Sequence, residues 1–215
     1  MADAEGVHLY TVKGELAYSH EISGVELMRA HRKADEHFLM IVHHDGTERM
    51  VTKLQVRARP YKLTAEQRQS RRTNTTKVSP YLIPEVNVSC RAVWSVDVDF
   101  EVTDLLQMVK GGVKQVAMGD TTGGVRIYAS NGTFVKYVHA SDDEGGITRL
   151  VHSGASSVLF HTATNFGIMS PDEHRFRVTH PCSLGHWKEV NSLAVAPQRL
   201  LVFADGALHS YQRAA

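Results

Sequence analysis

Short apolar runs alternate with glycine-containing polar turns along most of this sequence. Each run is followed by a turn and then by a segment in which apolar and polar residues alternate, ending near an aromatic residue. Four copies occupy residues 38–51, 116–128, 158–169 and 200–211, and residues 6–10 form half a copy. Period-2 alternation between turn residues is typical of β-strands. The pattern therefore predicts an all-β fold built from hairpins.

The turn glycines recur at a nearly constant spacing. They stand at positions 6, 46, 124, 167 and 206, with intervals of 40, 78, 43 and 39, and 78 is twice 39. A period of about 40 residues is typical of a β-propeller blade, which has four strands. We expect a single domain over residues 1–215, either a β-propeller or a partial propeller of about five blades.

Further strands are predicted between these copies. Residues 25–28, 147–151 and 190–195 precede the repeated pattern and are candidate innermost strands. Residues 96–102 alternate in period 2 and read as one strand. Residues 105–109 could form a helical turn that stops at Gly111 and Gly112.

The segment Met118–Tyr128 resembles the repeats of WD-repeat and quinoprotein-like propellers. It carries a Gly-Asp pair, a short turn, a glycine and then an alternating strand that ends in an aromatic residue. The resemblance implies that the turn joins two neighbouring antiparallel strands of one blade. A Trp-Asp pair at a strand end is missing, so no propeller subfamily is assigned.

The two ends of the sequence carry the same part of the repeat, since residues 6–10 match residues 206–211. The chain is then a five-bladed ring with an extra strand, a piece of a larger propeller, or a ring completed by another chain. Unpaired edge strands favour pairing with a further strand.

Residues 58–88 interrupt the pattern and predict an inserted, proline-containing loop. Between residues 53 and 77 the chain has eight basic residues and one acid, Glu66, within a protein whose net charge is +1. Such a charge run is typical of a solvated loop or of a docking arm for an acidic partner, lipid headgroups or, less favoured, RNA. Its candidate binding residues are Lys53, Arg57, Arg59, Lys62, Arg68, Arg71, Arg72 and Lys77. The balanced overall charge argues against a general nucleic-acid binder.

No catalytic or cofactor-binding motif is found, so neither a cofactor nor a metal is expected. The chain has 13 histidines, but the adjacent His43 and His44 point to opposite faces of a strand and cannot chelate together. Asp97, Asp99, Glu101 and Asp104 are interpreted as the solvent face of a strand, with an acidic cation-binding groove as the alternative. The candidate innermost strands carry Glu26, Arg149 and Asn191, which are a poor catalytic set.

The chain as written has no signal peptide, which predicts a cytoplasmic location, and no apolar run of about 18 residues that could span a membrane. Cys90 and Cys182 could form one disulfide, and free thiols are the simpler interpretation. Asn74, Asn87 and Asn131 lie in glycosylation sequons. If the chain is part of a longer precursor, a lumenal or extracellular location is the alternative.

These observations predict a non-catalytic propeller that serves as a scaffold subunit and binds other protein subunits. Two alternatives remain: a propeller-fold hydrolase or glycosidase with a central-channel site, and a glycosylated lumenal or extracellular recognition domain.

Overall fold

The computed structural model describes residues 6–10, 14–33, 36–60, 86–142, 146–153, 157–171, 176–179, 188–196 and 199–212. All regular elements in these ranges are β-strands, and no helix occurs among them, so the predicted all-β fold is confirmed. The strands are β1 (Val7–Tyr10), β2 (Leu16–His20), β3 (Leu27–Lys33), β4 (Glu36–Asp45), β5 (Glu48–Pro60), β6 (Val86–Asp97), β7 (Val102–Lys110), β8 (Val113–Asp120), β9 (Gly124–Ala129), β10 (Phe134–His139), β11 (Arg149–Ser153), β12 (Ser157–His161), β13 (Phe166–Pro171), β14 (Phe176–Thr179), β15 (Val190–Ala196), β16 (Arg199–Ala204) and β17 (Ala207–Gln212).

The strands form several small antiparallel sheets, in each of which neighbours in sequence are also neighbours in space. The strand orders are β1-β2, β3-β4-β5-β6, β7-β8-β9-β10, β11-β12-β13-β14 and β15-β16-β17. Within the described residues, three sheets therefore have four strands, one has three and one has two. Short glycine-containing turns connect β4 with β5, β7 with β8, β8 with β9, β9 with β10 and β16 with β17, and each brings a strand back beside the one before it.

The chain divides into two compact units, residues 1–47 with 52–93 and residues 48–51 with 94–215. The core of the first unit includes Val7, Leu39, Ile41 and Leu54. β12 contributes to two buried clusters among the described residues of the second unit. Val158 and Phe160 pack toward the β7–β10 sheet, whereas Leu159 packs toward the β15–β17 sheet. Since successive residues of a strand point to opposite faces, β12 is buried on both sides.

Two local predictions between residues 96 and 109 are wrong. Residues 96–102 are not one strand, because β6 ends at Asp97 and β7 begins at Val102. At this corner the Val98 N–H donates to the Arg49 carbonyl (2.9 Å), and Arg49 Nη1 donates to the Phe100 carbonyl (3.2 Å). Residues 105–109 form no helical turn but lie in β7, with residues 105–108 buried. A strand buried on both faces has a continuous apolar run instead of an alternating one.

Two equivalent hydrogen bonds reproduce the predicted repeat in the second unit. The Ile147 N–H donates to the Asp120 carbonyl, and 43 residues further on the Val190 N–H donates to the Ala163 carbonyl. Ile147 lies just before β11, and Asp120 lies at the turn between β8 and β9 of the preceding sheet. In the same way, Val190 begins β15, and Ala163 lies in the turn between β12 and β13 of the preceding sheet. The spacing equals the interval between the turn glycines Gly124 and Gly167.

The interval of 78 residues between Gly46 and Gly124 was predicted to contain two repeats, but its described strands belong to two consecutive sheets. Four described strands lie between the turns at Gly46 and Gly124. β5 and β6 belong to the β3–β6 sheet, which contains the Gly46 turn, and β7 and β8 belong to the β7–β10 sheet, which contains the Gly124 turn. No additional sheet occurs there among the described residues. The predicted insertion at 58–88 overlaps the ends of β5 and β6, and its residues 61–85 lie outside the described residues.

Glycine at position 123 is required by both its backbone angle and its surroundings. Its φ of 83° is left-handed, and a Cβ there would overlap the Ser141 carbonyl oxygen. Gly112 is a matched control, because its φ is 80° but nothing lies within 4 Å of its Cβ position.

We expect Gly112→Ala to lower the free energy of unfolding by roughly 1–2 kcal/mol, the cost of a left-handed alanine. Gly123→Ala should cost about 3 kcal/mol or more, because the clash with Ser141 adds to the backbone strain. Urea denaturation of both variants measures this difference. Equal losses would contradict the packing described for Gly123.

Candidate functional site

A buried carboxylate connects the β7–β10 sheet with the β11–β14 sheet. Asp104, in β7, is 1% exposed. Its Oδ1 accepts a hydrogen bond from the Leu105 N–H (2.9 Å), and its Oδ2 accepts one from the Leu150 N–H of β11 (2.8 Å). A buried carboxylate is stable only when its oxygens are hydrogen-bonded, and here both are. The solvent-face interpretation is therefore wrong for Asp104, whereas Asp97, Asp99 and Glu101 are not buried.

A second buried carboxylate closes the turn between β8 and β9. Asp120 Oδ1 accepts hydrogen bonds from the Thr122 N–H (2.9 Å), the Thr122 hydroxyl (2.7 Å) and the Gly124 N–H (2.8 Å). Its Oδ2 lies 3.4 Å from Arg126 Nε. The Arg126 guanidinium also lies over the Phe100 ring, 4.1 Å from its centroid. The carboxylate oxygens of Asp120 thus interact with its own turn and with Arg126. We therefore assign Asp120 a structural role.

His161 is a buried histidine at the same junction. It is 1% exposed, its Nδ1–H donates to the Thr162 carbonyl (3.0 Å), and its Nε2 has no hydrogen-bond partner among the described residues. Burial lowers the pKa of His161 from the usual 6.5, and the charge of Arg149 lowers it further. The Thr162 hydrogen bond and the charge of Asp104 act in the opposite direction. The neutral imidazole is therefore the form that fits the folded protein.

The polar residues of the predicted innermost strands have separate partners. Glu26 Oε1 lies 2.8 Å from His44 Nε2, and Asn191 Nδ2 donates to Glu189 Oε1 (2.7 Å). Arg149 is exposed and stands opposite His161 in the pairing of β11 with β12. No group of three or more His, Cys, Asp or Glu side chains suited to a metal occurs among the described residues. These contacts do not assemble a catalytic set.

His43 and His44 lie on opposite faces of β4, as predicted. His43 Nε2 is 2.9 Å from the Thr52 hydroxyl, while His44 contacts Glu26. Burial lowers the pKa of His43.

The predicted basic binding residues occupy different environments. Lys53 lies in β5 and is 3% exposed, with its Nζ 4.3 Å from the centroid of the Phe38 ring. Its aliphatic stem and its cation–π contact explain this burial, which removes Lys53 from any exposed basic surface. Arg57 is exposed in β5, and the backbone of Arg59 belongs to the same strand. Lys62, Arg68, Arg71, Arg72 and Lys77 lie outside the described residues.

The sequons and cysteines are described in part. Asn131 is exposed in the turn between β9 and β10, where its Oδ1 accepts a hydrogen bond from the Thr133 N–H (3.1 Å). Asn87 lies in β6, and Asn74 is outside the described residues. Cys90 is a free thiol whose pKa is raised by burial, and Cys182 lies outside the described residues.

The β15–β17 sheet has one buried face and one exposed apolar face. The buried face, with Leu193 and Val202, packs on the β11–β14 sheet. Strand register places Ser192, Phe203 and Leu208 side by side on the other face, and Ala194, Leu201 and Ser210 in the next row. We call these six residues the outer face. Phe203 is 41% exposed and Leu208 is 67% exposed.

Of the outer face, sequence reasoning identified only Leu208 as an apolar residue without an obvious neighbouring blade, although a signal for the rest was present. The run Leu200–Phe203 is apolar at every position, whereas a strand with one solvated face alternates apolar and polar residues. Exposed apolar patches of this kind mark interaction surfaces. The outer face is therefore the candidate functional site.

Comparison with protein-family models gives no match, and no significantly similar sequence is found among curated proteins. The described residues include no helix long and apolar enough to cross a membrane. The assignment of function therefore depends on the geometry of the described residues.

Removing the Asp104 carboxylate should separate the two sheets that it connects. Asp104→Ala leaves two buried N–H groups unpaired, at about 1–3 kcal/mol each, so we expect a loss of about 3–5 kcal/mol. Chemical denaturation measures it, with the exposed Asp97→Ala as a control that should change stability by less than about 0.5 kcal/mol. A loss below about 1 kcal/mol for Asp104→Ala would contradict the sheet-connecting role.

Acid should destabilise the fold through His161. Its pKa is lowered in the folded state, so below pH 6.5 the unfolded chain binds a proton that the folded chain does not. Stability then falls as the pH drops from 6.5 toward the folded-state pKa, by up to about 1.4 kcal/mol per pH unit.

The variant His161→Phe should reduce the slope of unfolding free energy against pH between pH 7 and 5. His43 and His152, whose pKa values are also lowered by burial, maintain part of that slope. The exposed His139→Gln is the control. An unchanged slope in His161→Phe would show that His161 is protonated equally in both states.

Proposed function

We propose that this protein is a non-catalytic interaction module, a partial β-propeller that serves as a structural subunit of a larger protein assembly. Its sheets follow one another as blades do, and its outer face is the surface through which it associates. The observation that carries the proposal is the exposure of Phe203 and Leu208 on a sheet whose opposite face is buried.

The arrangement of the first strands supports the propeller-like part of the proposal. β11 contacts β7 on one side and β15 on the other, so the first strands of three successive sheets are neighbours. In a propeller the innermost strands of consecutive blades are adjacent around the central axis. Consecutive antiparallel sheets of four strands fit the same architecture.

When sheets pack in a row, an apolar face that has no neighbouring sheet must be covered by something else. A terminal repeat that faces water usually has a polar outer surface. The outer face instead presents Leu201, Phe203 and Leu208 beside Ser192 and Ser210. Cross-strand apolar pairs such as Phe203 with Leu208 are favourable when they are covered, so a protein partner is the expected neighbour.

The basic segment is proposed as a second contact, for an acidic partner. Arg57 is its exposed residue within the described part of the chain. A surface of this charge accelerates association with an acidic protein and loses its effect at high salt.

The decisive experiment compares assembly size in cells that produce the protein naturally. We expect the tagged chain to migrate as a complex larger than the monomer. The double variant Phe203→Ser/Leu208→Ser should dissociate from it, because losing about 1 kcal/mol of contact at each position weakens binding about thirtyfold.

The control is Val113→Ser, which alters a residue that is 57% exposed at the start of β8, away from the outer face. It should leave the complex intact, and circular dichroism should show that all variants remain folded. A wild-type chain that migrates as a monomer, or a double variant that stays in the complex, would contradict the proposal.

A further inference from the structure

β17 is the last strand of a sheet that is one strand shorter than its neighbours. The β7–β10 and β11–β14 sheets each have four strands, whereas the β15–β17 sheet has three among the described residues. β17 pairs with β16 on one side, and no described strand pairs with its other side. The backbone groups of every second residue of a strand point away from its one neighbour, so an edge can accept a further strand.

The chemistry of β17 differs from that of the last strands of two four-stranded sheets. β10 carries Lys136 and a bulge beside Phe134, and β6 carries Arg91. Charged side chains and bulges are the means by which proteins prevent unwanted pairing at sheet edges. The sequence of β17, Ala-Leu-His-Ser-Tyr-Gln, has no acidic residue, lysine, arginine or proline, and its pairing with β16 is regular. It therefore lacks these protections.

The side chains of β17 define what the added strand would contact. On the buried face, Tyr211 packs against the cluster that contains Leu193 and Val202. On the outer face, Leu208 stands opposite Phe203. A strand beside β17 would place alternate residues next to Tyr211 and next to Leu208, so apolar residues are favoured on both of its faces.

We propose that β17 is an acceptor edge for an extended, predominantly apolar peptide segment of a partner protein, which pairs with it as a fourth strand. The inference rests on the proposed function and names the part of the partner that binds. Main-chain hydrogen bonds supply affinity in this mode of recognition, and side chains at alternate positions supply selectivity.

A second copy of the chain is a poorer occupant. Two β17 strands paired antiparallel form one continuous sheet, in which the outer faces of both copies lie on the same side. That arrangement would enlarge the exposed apolar surface around Phe203 and Leu208 instead of covering it. A partner that contributes a strand can also cover the outer face.

Hydrogen exchange on the full chain tests the proposal. The probe is an acetylated and amidated peptide Phe-Val-Thr-Tyr-Val-Thr, which follows the sequence of the fourth strand β10 but replaces its lysine and its histidine with threonine. At a concentration that fills about 90% of the sites, exchange at alternate amides of β17 should slow about tenfold. Amides of β9 should not change. The control peptide Phe-Pro-Thr-Pro-Val-Thr lacks two backbone donors and should have no effect.

Three results would overturn the proposal. The first is no slowing in β17 at peptide concentrations up to about 1 mM, which corresponds to binding weaker than about 4 kcal/mol. The second is full protection of the β17 amides from hydrogen exchange in the peptide-free monomer, which would mean that another part of the chain already pairs with this edge. The third is protection that appears only as the chain dimerises, which identifies a second copy.

The assembly and peptide experiments on the native chain together separate this proposal from the proposed function. If the native chain forms no assembly but β17 still binds the peptide, the proposed function fails and the acceptor edge stands. If the assembly forms and the peptide protects nothing, the acceptor edge fails and the proposed function stands.

Discussion

The packing of the second unit depends on one buried carboxylate, that of Asp104. Each of its oxygens accepts a backbone N–H, one from Leu105 in its own strand and one from Leu150 in the next sheet. An unpaired carboxylate at this depth would cost several kcal/mol, so an offset between the two sheets that brings the Leu150 N–H to Asp104 is favoured. The backbone bond from Ile147 to Asp120 fixes the same offset, because it connects the same two sheets. Side-chain packing then follows, with β12 buried on both faces.

This constraint explains how a chain of short hairpins leaves one apolar sheet face exposed. Each sheet of the second unit is too small to bury its own apolar residues, so neighbouring sheets of this unit pack against one another. Leu159 and Phe166 meet Val202 in this way, and the β15–β17 sheet is covered on one face. Its other face has no neighbour among the described residues of the second unit. The polar junction is therefore structural, whereas Phe203 and Leu208 remain exposed.

Local features were predictable from the sequence, and features set between sheets were not. The hairpin at Met118–Tyr128 was found because its glycines specify a turn, and the spacing of 43 residues reappears in equivalent hydrogen bonds. The burial of Asp104 could not be foreseen, since Asp97, Asp99 and Glu101 continue the same alternation but are not buried. The burial of Lys53 was missed for a related reason: its ring partner Phe38 comes from another strand.

The central claim is that the Asp104 carboxylate joins two sheets into one cooperative structure. Native-state hydrogen exchange at the Leu150 amide tests it most directly, because that N–H donates to Asp104 across the junction of the two sheets. The account predicts that Leu150 exchanges only through global unfolding, as slowly as the buried amides of β8. Exchange of Leu150 at the rate of an exposed loop amide, with β8 still protected, would contradict it.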